Sequence, residues 1–289
     1  MNFVLKISCP DRQGVVADIA TRLSAENCNI IESSQFFQPD PGTLREDGIG
    51  QFFMRIECTS ENANADKLDQ ALDGFRDAFN AEVTLTPLPH VMPTILMVSK
   101  FDHCLQDIFY RVATGTLPIR IAAIVSNHED SRSDAERFDI PYYVWPVTKE
   151  NKTEQEGKLD SLIQETGAEL IVLARYMQIL SDNFSSRYFG QIINIHHSFL
   201  PAFKGAKPYH RAWERGVKHI GATAHYVTPD LDEGPIIEQE TERVSHSSDA
   251  EDLVRRGRDI EARVLSRAIR LHAEQRVFIN RSRTVVFQP

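Results

Sequence analysis

The sequence has neither a long apolar segment nor an excess of positive charge. Its apolar runs all fall short of the roughly 20 residues that a membrane-spanning helix needs, and its formal net charge at pH 7 is -9. Proteins that bind nucleic acid usually carry a basic stripe, so the composition argues against a nucleic-acid binder as well as a membrane protein. Basic residues could still cluster around an anionic ligand. The length of 289 residues is sufficient for two domains.

Cysteine is scarce as well. The four cysteines are Cys9, Cys28, Cys58 and Cys104. They are widely spaced and include no Cys-x-x-Cys pair, which indicates reduced thiols in a cytoplasmic protein and not a disulfide framework. The first residues lack the basic segment and the small-residue cleavage site of a secretion signal. We therefore expect a cytoplasmic localisation.

Residues 1–86 predict a small α+β domain. Apolar periodicity indicates strand, helix, strand, strand, helix and strand in that order, with the helices at residues 14–26 and 68–79. A polar loop rich in proline and glycine is expected at residues 39–48. The order βαββαβ predicts a ferredoxin-like sandwich, with two helices covering one face of the sheet.

The connection from the first strand to the first helix carries a recognisable motif. Residues 11–16 read Asp-Arg-Gln-Gly-Val-Val and resemble the ACT domain, a ligand-sensing module found in many metabolic enzymes. The resemblance implies an effector site at Asp11, Gly14 and Val15, with a small amino acid such as glycine or methionine as the effector. The alternative is a module that only assembles subunits. Because ACT-like sheets commonly pair edge to edge, we expect a homo-oligomer.

Residues 87–93 are proline-rich and predict a linker to a second domain, residues 94–289. Strands and helices alternate beyond the linker, and the strands are apolar throughout, which predicts an α/β domain with a doubly wound, Rossmann-like, mostly parallel sheet. Capping boxes predict helix starts at Ser133, Thr153 and Ser248. The last helix is expected to reach about Gln275 and to be followed by a closing hairpin.

Residues 194–235 carry the most informative polar side chains. A strand predicted at residues 191–195 places Asn194 and His196 on one face and His197 on the other. A second apolar run is followed by a turn rich in proline and glycine that presents Asp232. An amide, an imidazole and a carboxylate at strand ends can stabilise an oxyanion and activate a nucleophile that attacks a carbonyl.

These residues also allow less specific interpretations. A lone histidine is more often a structural hydrogen-bonding group than a catalyst, and His197 and His225 could simply be buried and hydrogen-bonded. A metal cluster of His196, His197, His210 and His225 with Asp232 is a further alternative. No His-x-His or His-x-x-x-His spacing supports it, so we predict no metal site.

The complete pattern is more specific than its parts. Residues 194–201, Asn-Ile-His-His-Ser-Phe-Leu-Pro, together with Gly-Ala-Thr-Ala-His-Tyr-Val at 221–227 and Leu-Asp-Glu-Gly-Pro at 231–235, resemble the folate-dependent formyltransferases. This family includes glycinamide ribonucleotide formyltransferase and methionyl-tRNA formyltransferase. The resemblance implies a formyltransferase fold for the second domain.

The same resemblance implies roles for particular residues. The catalytic triad would be Asn194, His196 and Asp232. The folate would bind along a loop after a buried strand, largely through backbone groups, with two further residues from the 221–235 region. The implied folate-binding residues are Arg175, Tyr176, Met177, Gln178, Ile179, Leu180, His225 and Asp230.

The acceptor side of the pattern departs from the glycinamide ribonucleotide enzymes. Those enzymes have a loop rich in glycine and serine that holds a phosphate, whereas residues 99–104 here read Ser-Lys-Phe-Asp-His-Cys. Such a loop suits a phosphate poorly, because side chains block the backbone and Asp102 repels an anion. The acceptor loop is expected at residues 204–209, Lys-Gly-Ala-Lys-Pro-Tyr.

With the ACT-like domain included, the chain resembles the formyltetrahydrofolate deformylases over essentially its whole length. The resemblance implies hydrolysis of 10-formyltetrahydrofolate to tetrahydrofolate and formate, which belongs to one-carbon metabolism and formate supply for purine biosynthesis. No cofactor is expected beyond the folate substrate. In this hypothesis Asp232 activates water, while Asn194 and protonated His196 bind the oxyanion. The alternatives are formyl transfer to an amine and a sensor that binds folate without turnover.

Overall fold

The computed structural model describes residues 1–39, 50–61, 64–201 and 208–289. These residues form two compact units. The first contains residues 1–90, 275–278 and 285–289, and the second contains residues 91–274 and 279–284. The division between His90 and Val91 falls inside the predicted linker. The prediction that the C-terminal residues belong entirely to the second domain is wrong, because two short segments return to the first unit.

The first unit, over its described residues, is a four-stranded antiparallel sheet with three helices. The sheet has the order β2-β3-β1-β4, which confirms the ferredoxin-like arrangement and is consistent with an ACT-like domain. The predicted loop at residues 39–48 lies outside the described residues, apart from residue 39. The elements are β1 (Asn2–Pro10), α1 (Val15–Ala25), β2 (Asn29–Gln38), β3 (Gln51–Thr59), α2 (Ala65–Ala71), α3 (Asp73–Phe79) and β4 (Glu82–Leu88).

The helix predicted over residues 68–79 is instead two short helices, so that prediction is wrong. Leu72 separates them: its N–H donates to the Asp69 carbonyl and its carbonyl accepts from Phe75. Leu68, Leu72 and Phe75 are nevertheless all buried in one core. Because the apolar spacing continues through the break, periodicity alone could not reveal it.

The C-terminal segment is bound to the first unit by three kinds of contact. The ring of Phe278 packs edge-on against Phe53, with 5.6 Å between ring centroids. Lys6 Nζ donates to the Val277 carbonyl over 2.7 Å, and burial lowers the pKa of Lys6 to about 8. Arg276 forms an ion pair with Glu32 at 3.3 Å. These contacts explain why residues 275–278 belong to this unit.

The second unit is built on a seven-stranded sheet of order β11-β10-β9-β8-β5-β6-β7. The five strands from β9 to β7 pair in parallel, and β10 and β11 pair antiparallel at one side. This confirms the mostly parallel, doubly wound sheet, although β11 was not predicted. The strands are β5 (Met92–Val98), β6 (Ile119–Ser126), β7 (Tyr142–Val144), β8 (Leu170–Leu173), β9 (Ile192–His196), β10 (His219–Tyr226) and β11 (Ile236–Arg243).

Six helices accompany this sheet in the described part of the second unit, and the closing hairpin is present as predicted. Two of the helices, α7 and α8, were not predicted. No helix in the described part of the chain is long and apolar enough to cross a membrane. The remaining elements are α4 (His103–Ala113), α5 (Arg132–Arg137), α6 (Lys152–Thr166), α7 (Asp182–Arg187), α8 (Pro208–Arg215), α9 (Ala250–Ala273), β12 (Val277–Asn280) and β13 (Arg283–Val286).

The three predicted helix starts are each displaced by one residue or more. The helices α5 and α6, both fully described, lack a side-chain cap bond and already include Ser133 and Thr153. The capping box of α9 is formed by Asp249 with Asp252 and not by Ser248. In each case a residue one or two positions away occupies the cap position, because a motif of polar residues does not fix a helix end to the residue.

The strand order places a crevice beside the centre of the sheet. The chain runs from β5 to β6 and β7 on one side, and then returns to β8 and β9 on the other side of β5. In doubly wound sheets, ligands bind beyond the carboxyl ends of the strands at such a reversal. The loop after β8 and the end of β9 therefore lie at the expected ligand site.

Candidate active site

The pairing of β9 with β10 brings the predicted amide and imidazoles together. Asn194 lies opposite His225 in the antiparallel register, and His196 lies opposite Thr223. Asn194 Nδ2 is 3.2 Å from His225 Nε2, while His225 Nδ1 is 2.8 Å from the Tyr226 carbonyl oxygen. Because a carbonyl only accepts and an amide nitrogen only donates, Nδ1 carries a proton, and Nε2 accepts from the Asn194 amide.

A turn within the loop between β10 and β11 supplies the carboxylate. Asp232 has a positive φ of 58°, and a Cβ on Gly234 would lie 1.7 Å from the Tyr226 carbonyl oxygen. Only glycine therefore fits there. The turn places Asp232 Oδ2 3.3 Å from His196 Nδ1 and Oδ1 3.7 Å from His225 Nε2.

The electrostatics of this cluster keep the carboxylate ionised. Burial alone would raise the pKa of Asp232, but the close approach of the His196 and His225 rings holds it far below its usual value. His196 Nε2 is buried and has no hydrogen-bond partner among the described residues. One nitrogen of His196 thus faces Asp232, and the other remains available to a ligand.

A cavity of about 300 Å³ opens above these groups. All six residues of the predicted folate loop line it, as does His225, whereas Asp230 is exposed and does not. The rim is apolar because Met177, Ile179 and Leu231 are more than half exposed. An apolar cavity with a few convergent polar groups is typical of a small-molecule site. The other lining residues include Leu173, Asn194, His196, His197, Val227 and Asp232.

The loop that forms one wall of the cavity is anchored on both sides. The N–H of Met177 donates to Ser99 Oγ over 3.0 Å, and that hydroxyl donates to Asn127 Oδ1 over 2.7 Å. At the other end, the N–H of Ser181 donates to Glu156 Oε1 over 2.7 Å. These bonds hold the loop in place, so the wall exists before any ligand binds.

His197 lies on the same side as His196, so the prediction that it points to the other face is wrong. The strand β9 ends at His196, and the alternation of a strand does not extend beyond its last residue. The two rings stack with centroids 5.1 Å apart and an angle of 22°, and both line the cavity. Burial, together with the positive charge of Arg175, lowers the pKa of His197 to about 4.

A buried carboxylate near the cavity was missed by the sequence analysis. Glu261 in α9 is 1% exposed and accepts hydrogen bonds from His103 Nε2 over 2.8 Å and Tyr209 Oη over 2.7 Å. Arg175 Nε lies 3.3 Å from it. The available signal was a glutamate that helical periodicity places on the apolar face, between Ile260 and Val264.

His103, Cys104 and Glu261 also bring three potential metal ligands within 4.8 Å of one another. Both oxygens of Glu261 accept hydrogen bonds from protein groups, which argues against a metal there. Among the described residues, the histidines that the sequence offered as metal ligands do not form a group of three potential ligands. These are His196, His197, His210 and His225.

The remaining predicted site residues lie elsewhere. In the first unit, Gly14 has a φ of 98° at the start of α1, Val15 is buried, and the N–H of Asp11 donates to the Gly50 carbonyl. In the second unit, Tyr209 of the predicted acceptor loop belongs to α8. Residues 204–207 of that loop lie outside the described residues.

The sequence of the second unit matches a known family. A family model described as Formyl transferase covers residues 92–269, a range that contains Asn194, His196 and Asp232. The chain therefore belongs to the formyl transferase family.

Similarity over the full length narrows this assignment to the formyltetrahydrofolate deformylases of that family. The formyltetrahydrofolate deformylase of Corynebacterium sp. (strain P-1) is 45% identical over 288 residues, which is 99% of this chain and 98% of the relative. The crystal structure of formyltetrahydrofolate deformylase from Burkholderia mallei ATCC 23344 superimposes with a TM-score of 0.93 at 43% identity, covering 99% of each chain. Glycinamide ribonucleotide transformylase 1 from Symbiobacterium toebii, with a TM-score of 0.65 and 32% identity, covers 69% of this chain and 96% of its own.

Proposed function

We propose that this protein hydrolyses the N10–formyl bond of 10-formyltetrahydrofolate and releases tetrahydrofolate and formate. The observation that carries the proposal is the cluster of Asn194, His196 and Asp232 at one cavity, with His196 Nε2 buried and unpartnered among the described residues. The similarity to formyltetrahydrofolate deformylases over 99% of the chain supports it.

The geometry suggests how the formyl group is activated. The Asn194 amide has two N–H groups, of which one is directed to His225 and the other is free to bind the formyl oxygen. Protonated His196 donates to the same oxygen from Nε2, and the Asp232 carboxylate compensates its charge from the Nδ1 side. Donors fixed in this way stabilise the negative charge that develops on the oxygen as the tetrahedral intermediate forms.

The surrounding residues would hold the folate. The residues Arg175 to Leu180 form the anchored wall of the cavity, and their backbone groups and apolar rim suit a flat heterocycle. His225 fixes the Asn194 amide, and Asp230, which is exposed, would act only on a part of the folate that extends beyond the cavity. The proposed reaction needs no metal and no cofactor besides the substrate.

The test is an assay of the purified protein with 10-formyltetrahydrofolate and no amine acceptor. We expect many molecules of formate per enzyme molecule, with one tetrahydrofolate released for each formate. Turnover that begins only when an amine is added would contradict hydrolysis and indicate formyl transfer. Folate binding without either reaction would indicate a sensor.

We propose further that the formate serves purine biosynthesis. We also propose that the first unit regulates the enzyme or assembles its subunits into a cytoplasmic homo-oligomer. Two features support this role: Gly14 has the positive φ of a tight strand-to-helix connection, and β2 is an edge strand that exposes Ile31 and Phe36. Glycine or methionine would bind at Asp11, Gly14 and Val15. Calorimetric titration with glycine and with methionine tests the effector site, and absence of binding would contradict it. Light scattering tests the assembly into an oligomer, and a monomer would contradict that.

A further inference from the structure

Three polar side chains lie in one row across the strands β9, β10 and β11. Thr223 of β10 pairs with His196 of β9 on one side and with Gln239 of β11 on the other. Directly opposed residues of an antiparallel pair project to the same face, with their Cβ atoms about 5 Å apart. Thr223 is therefore an immediate neighbour of His196, and it is completely buried.

The hydroxyl group of Thr223 is bound to the chain that follows the two histidines. It donates to the Ser198 carbonyl over 2.9 Å and accepts from the Leu200 N–H over 3.0 Å. It accepts a second hydrogen bond from Gln239 Nε2 over 2.9 Å. A hydroxyl has one donor hydrogen and two acceptor lone pairs, so these three bonds use its full capacity.

Gln239 holds the same piece of chain from the next strand. Its Nε2 also donates to the Leu200 carbonyl over 3.2 Å, so both N–H groups of the amide are in use. The strand β9 ends at His196, and residues 198–200 continue beyond it. Thr223 and Gln239 supply to this segment, which we call the 198–200 segment, hydrogen bonds of the kind that a neighbouring strand would supply.

The 198–200 segment also packs closely on β10. A Cβ on Gly221 would lie 3.3 Å from the Phe199 Cβ, which is a tight contact, and 2.4 Å from the Glu240 carbonyl oxygen. Ser198 and Leu200 are both buried. Water therefore cannot readily replace a hydrogen bond that the segment loses, and an unpaired buried group is costly.

We propose that Thr223 and Gln239 are positioning residues of the reaction, which place His196 by fixing the chain directly after it; the inference rests on the proposed hydrolase function. His196 has to hold Nε2 at the formyl oxygen. Asp232 holds the ring from the Nδ1 side, over 3.3 Å, while β9 and the 198–200 segment hold the backbone before and after it.

The consequence of losing this attachment is a slower reaction. Without the hydroxyl, the Ser198 carbonyl and the Leu200 N–H lose a partner at a buried position, so the segment has to move to pair them again. A displacement of about 1 Å at a reacting group can lower the rate about a hundredfold. The folate-binding loop after β8 has its own anchors at Ser99 and Glu156, so the affinity for folate should not change with it.

The test compares Thr223→Val, which keeps the shape and removes the hydroxyl, with Thr223→Ser, which keeps the hydroxyl. At neutral pH we expect Thr223→Val to lose about tenfold to a hundredfold in kcat, with KM and folate affinity changed by less than about threefold. Thr223→Ser should retain at least about a third of wild-type kcat. Thr241→Val is the matched control, because Thr241 is exposed on β11, and it should retain wild-type kinetics.

A second variant tests the other side chain of the pair. Gln239→Leu removes the two hydrogen bonds of Nε2 and should lower kcat about tenfold with little change in KM. Because both side chains hold the same segment, the loss in the double variant should be smaller than the product of the two single losses.

The outcomes separate positioning from a merely structural role. Retention of more than about a third of wild-type kcat in Thr223→Val would overturn the inference. An equal loss in Thr223→Ser would also overturn it, since packing and not hydrogen bonding would then be at work. Losses that multiply in the double variant would show that the two side chains act separately.

Two further results keep the test decisive. If circular dichroism shows that Thr223→Val is unfolded, Gln239→Leu is decided by the same criteria, and retention of more than about a third of wild-type kcat would overturn the inference. Wild type that releases no formate would instead overturn the proposed function itself.

Discussion

Asn194 illustrates how single side chains in this site divide their polar groups between structure and chemistry. One amide N–H is directed to His225, which fixes the orientation of the amide and leaves the other N–H for the substrate. His196 divides its two ring nitrogens in the same way. Nδ1 lies beside Asp232, and Nε2 has no partner among the described residues and can serve the substrate. Both donors are therefore positioned before the substrate arrives.

Replacement of Asn194 by alanine tests whether its amide binds the developing oxyanion. We expect kcat to fall about a hundredfold to a thousandfold, because an oxyanion donor is lost, while folate affinity is nearly unchanged. Steady-state kinetics and equilibrium titration with folate measure the two quantities. Asn183→Ala is the matched control, since Asn183 is exposed in α7. An Asn194→Ala variant with more than about a tenth of wild-type turnover would refute the role.

The depressed pKa of Asp232 predicts a pH dependence of stability. A carboxyl group whose folded-state pKa is lowered contributes stability above its unfolded pKa, about 3.9, and loses it as the pH falls through the folded value. Urea unfolding of wild type and Asp232→Asn should therefore give a stability difference that is constant near neutrality and shrinks below about pH 4. A stability difference that stays the same in acid would contradict the lowered pKa of Asp232.

The apolar strands predicted that Asn194, His196 and Asp232 lie near strand ends, and the structure brings them together at one cavity. Their catalytic roles were implied by the resemblance to the folate-dependent formyltransferases and stay predictions. The contact between Arg175 and Glu261 could not be predicted, because it joins a loop after β8 to the middle of α9. No local pattern encodes such a pairing.

At the level of elements, one buried carboxylate links three helices of the second unit. Glu261 on α9 contacts His103 at the start of α4 and Tyr209 on α8. One turn earlier in α9, a Cβ on Gly257 would lie 2.1 Å from the Tyr209 ring. The glycine thus lets the tyrosine lie against the helix and reach Glu261.

Two glycine-to-alanine substitutions should therefore have opposite effects. Gly257→Ala should lower the free energy of unfolding by about 1–3 kcal/mol, because it overpacks a buried contact. Gly157→Ala should raise it by about 0.5–1 kcal/mol, since Gly157 is exposed in α6 and its added Cβ meets nothing within 4 Å. Urea unfolding measures both, and a stabilised Gly257→Ala would show that Tyr209 moves without cost.

The elements differ in how well their sequences predict them. The buried parallel strands are apolar throughout, and β5, β6, β8 and β9 were predicted on that basis. The edge strand β11 was missed because Ile-Ile-Glu-Gln-Glu-Thr-Glu-Arg is mostly polar. Charged residues are typical of edge strands, which have one unpaired side.

At the level of the whole molecule, the chain combines a sheet that belongs to the formyl transferase family with a separate N-terminal unit. The family model begins at residue 92, immediately after the observed division between the units. The return of residues 275–278 and 285–289 to the first unit was not foreseen, because the contacts of Phe278 and Arg276 join distant parts of the chain.

The central claim is that water accepts the formyl group. To test this claim, we would run the reaction in ¹⁸O-labelled water with an amine present and analyse the released formate by mass spectrometry. Hydrolysis predicts one labelled oxygen in every formate, formate equal to tetrahydrofolate, and no formylated amine. Formylated amine with little or no labelled formate would contradict the account and identify an amine as the acceptor.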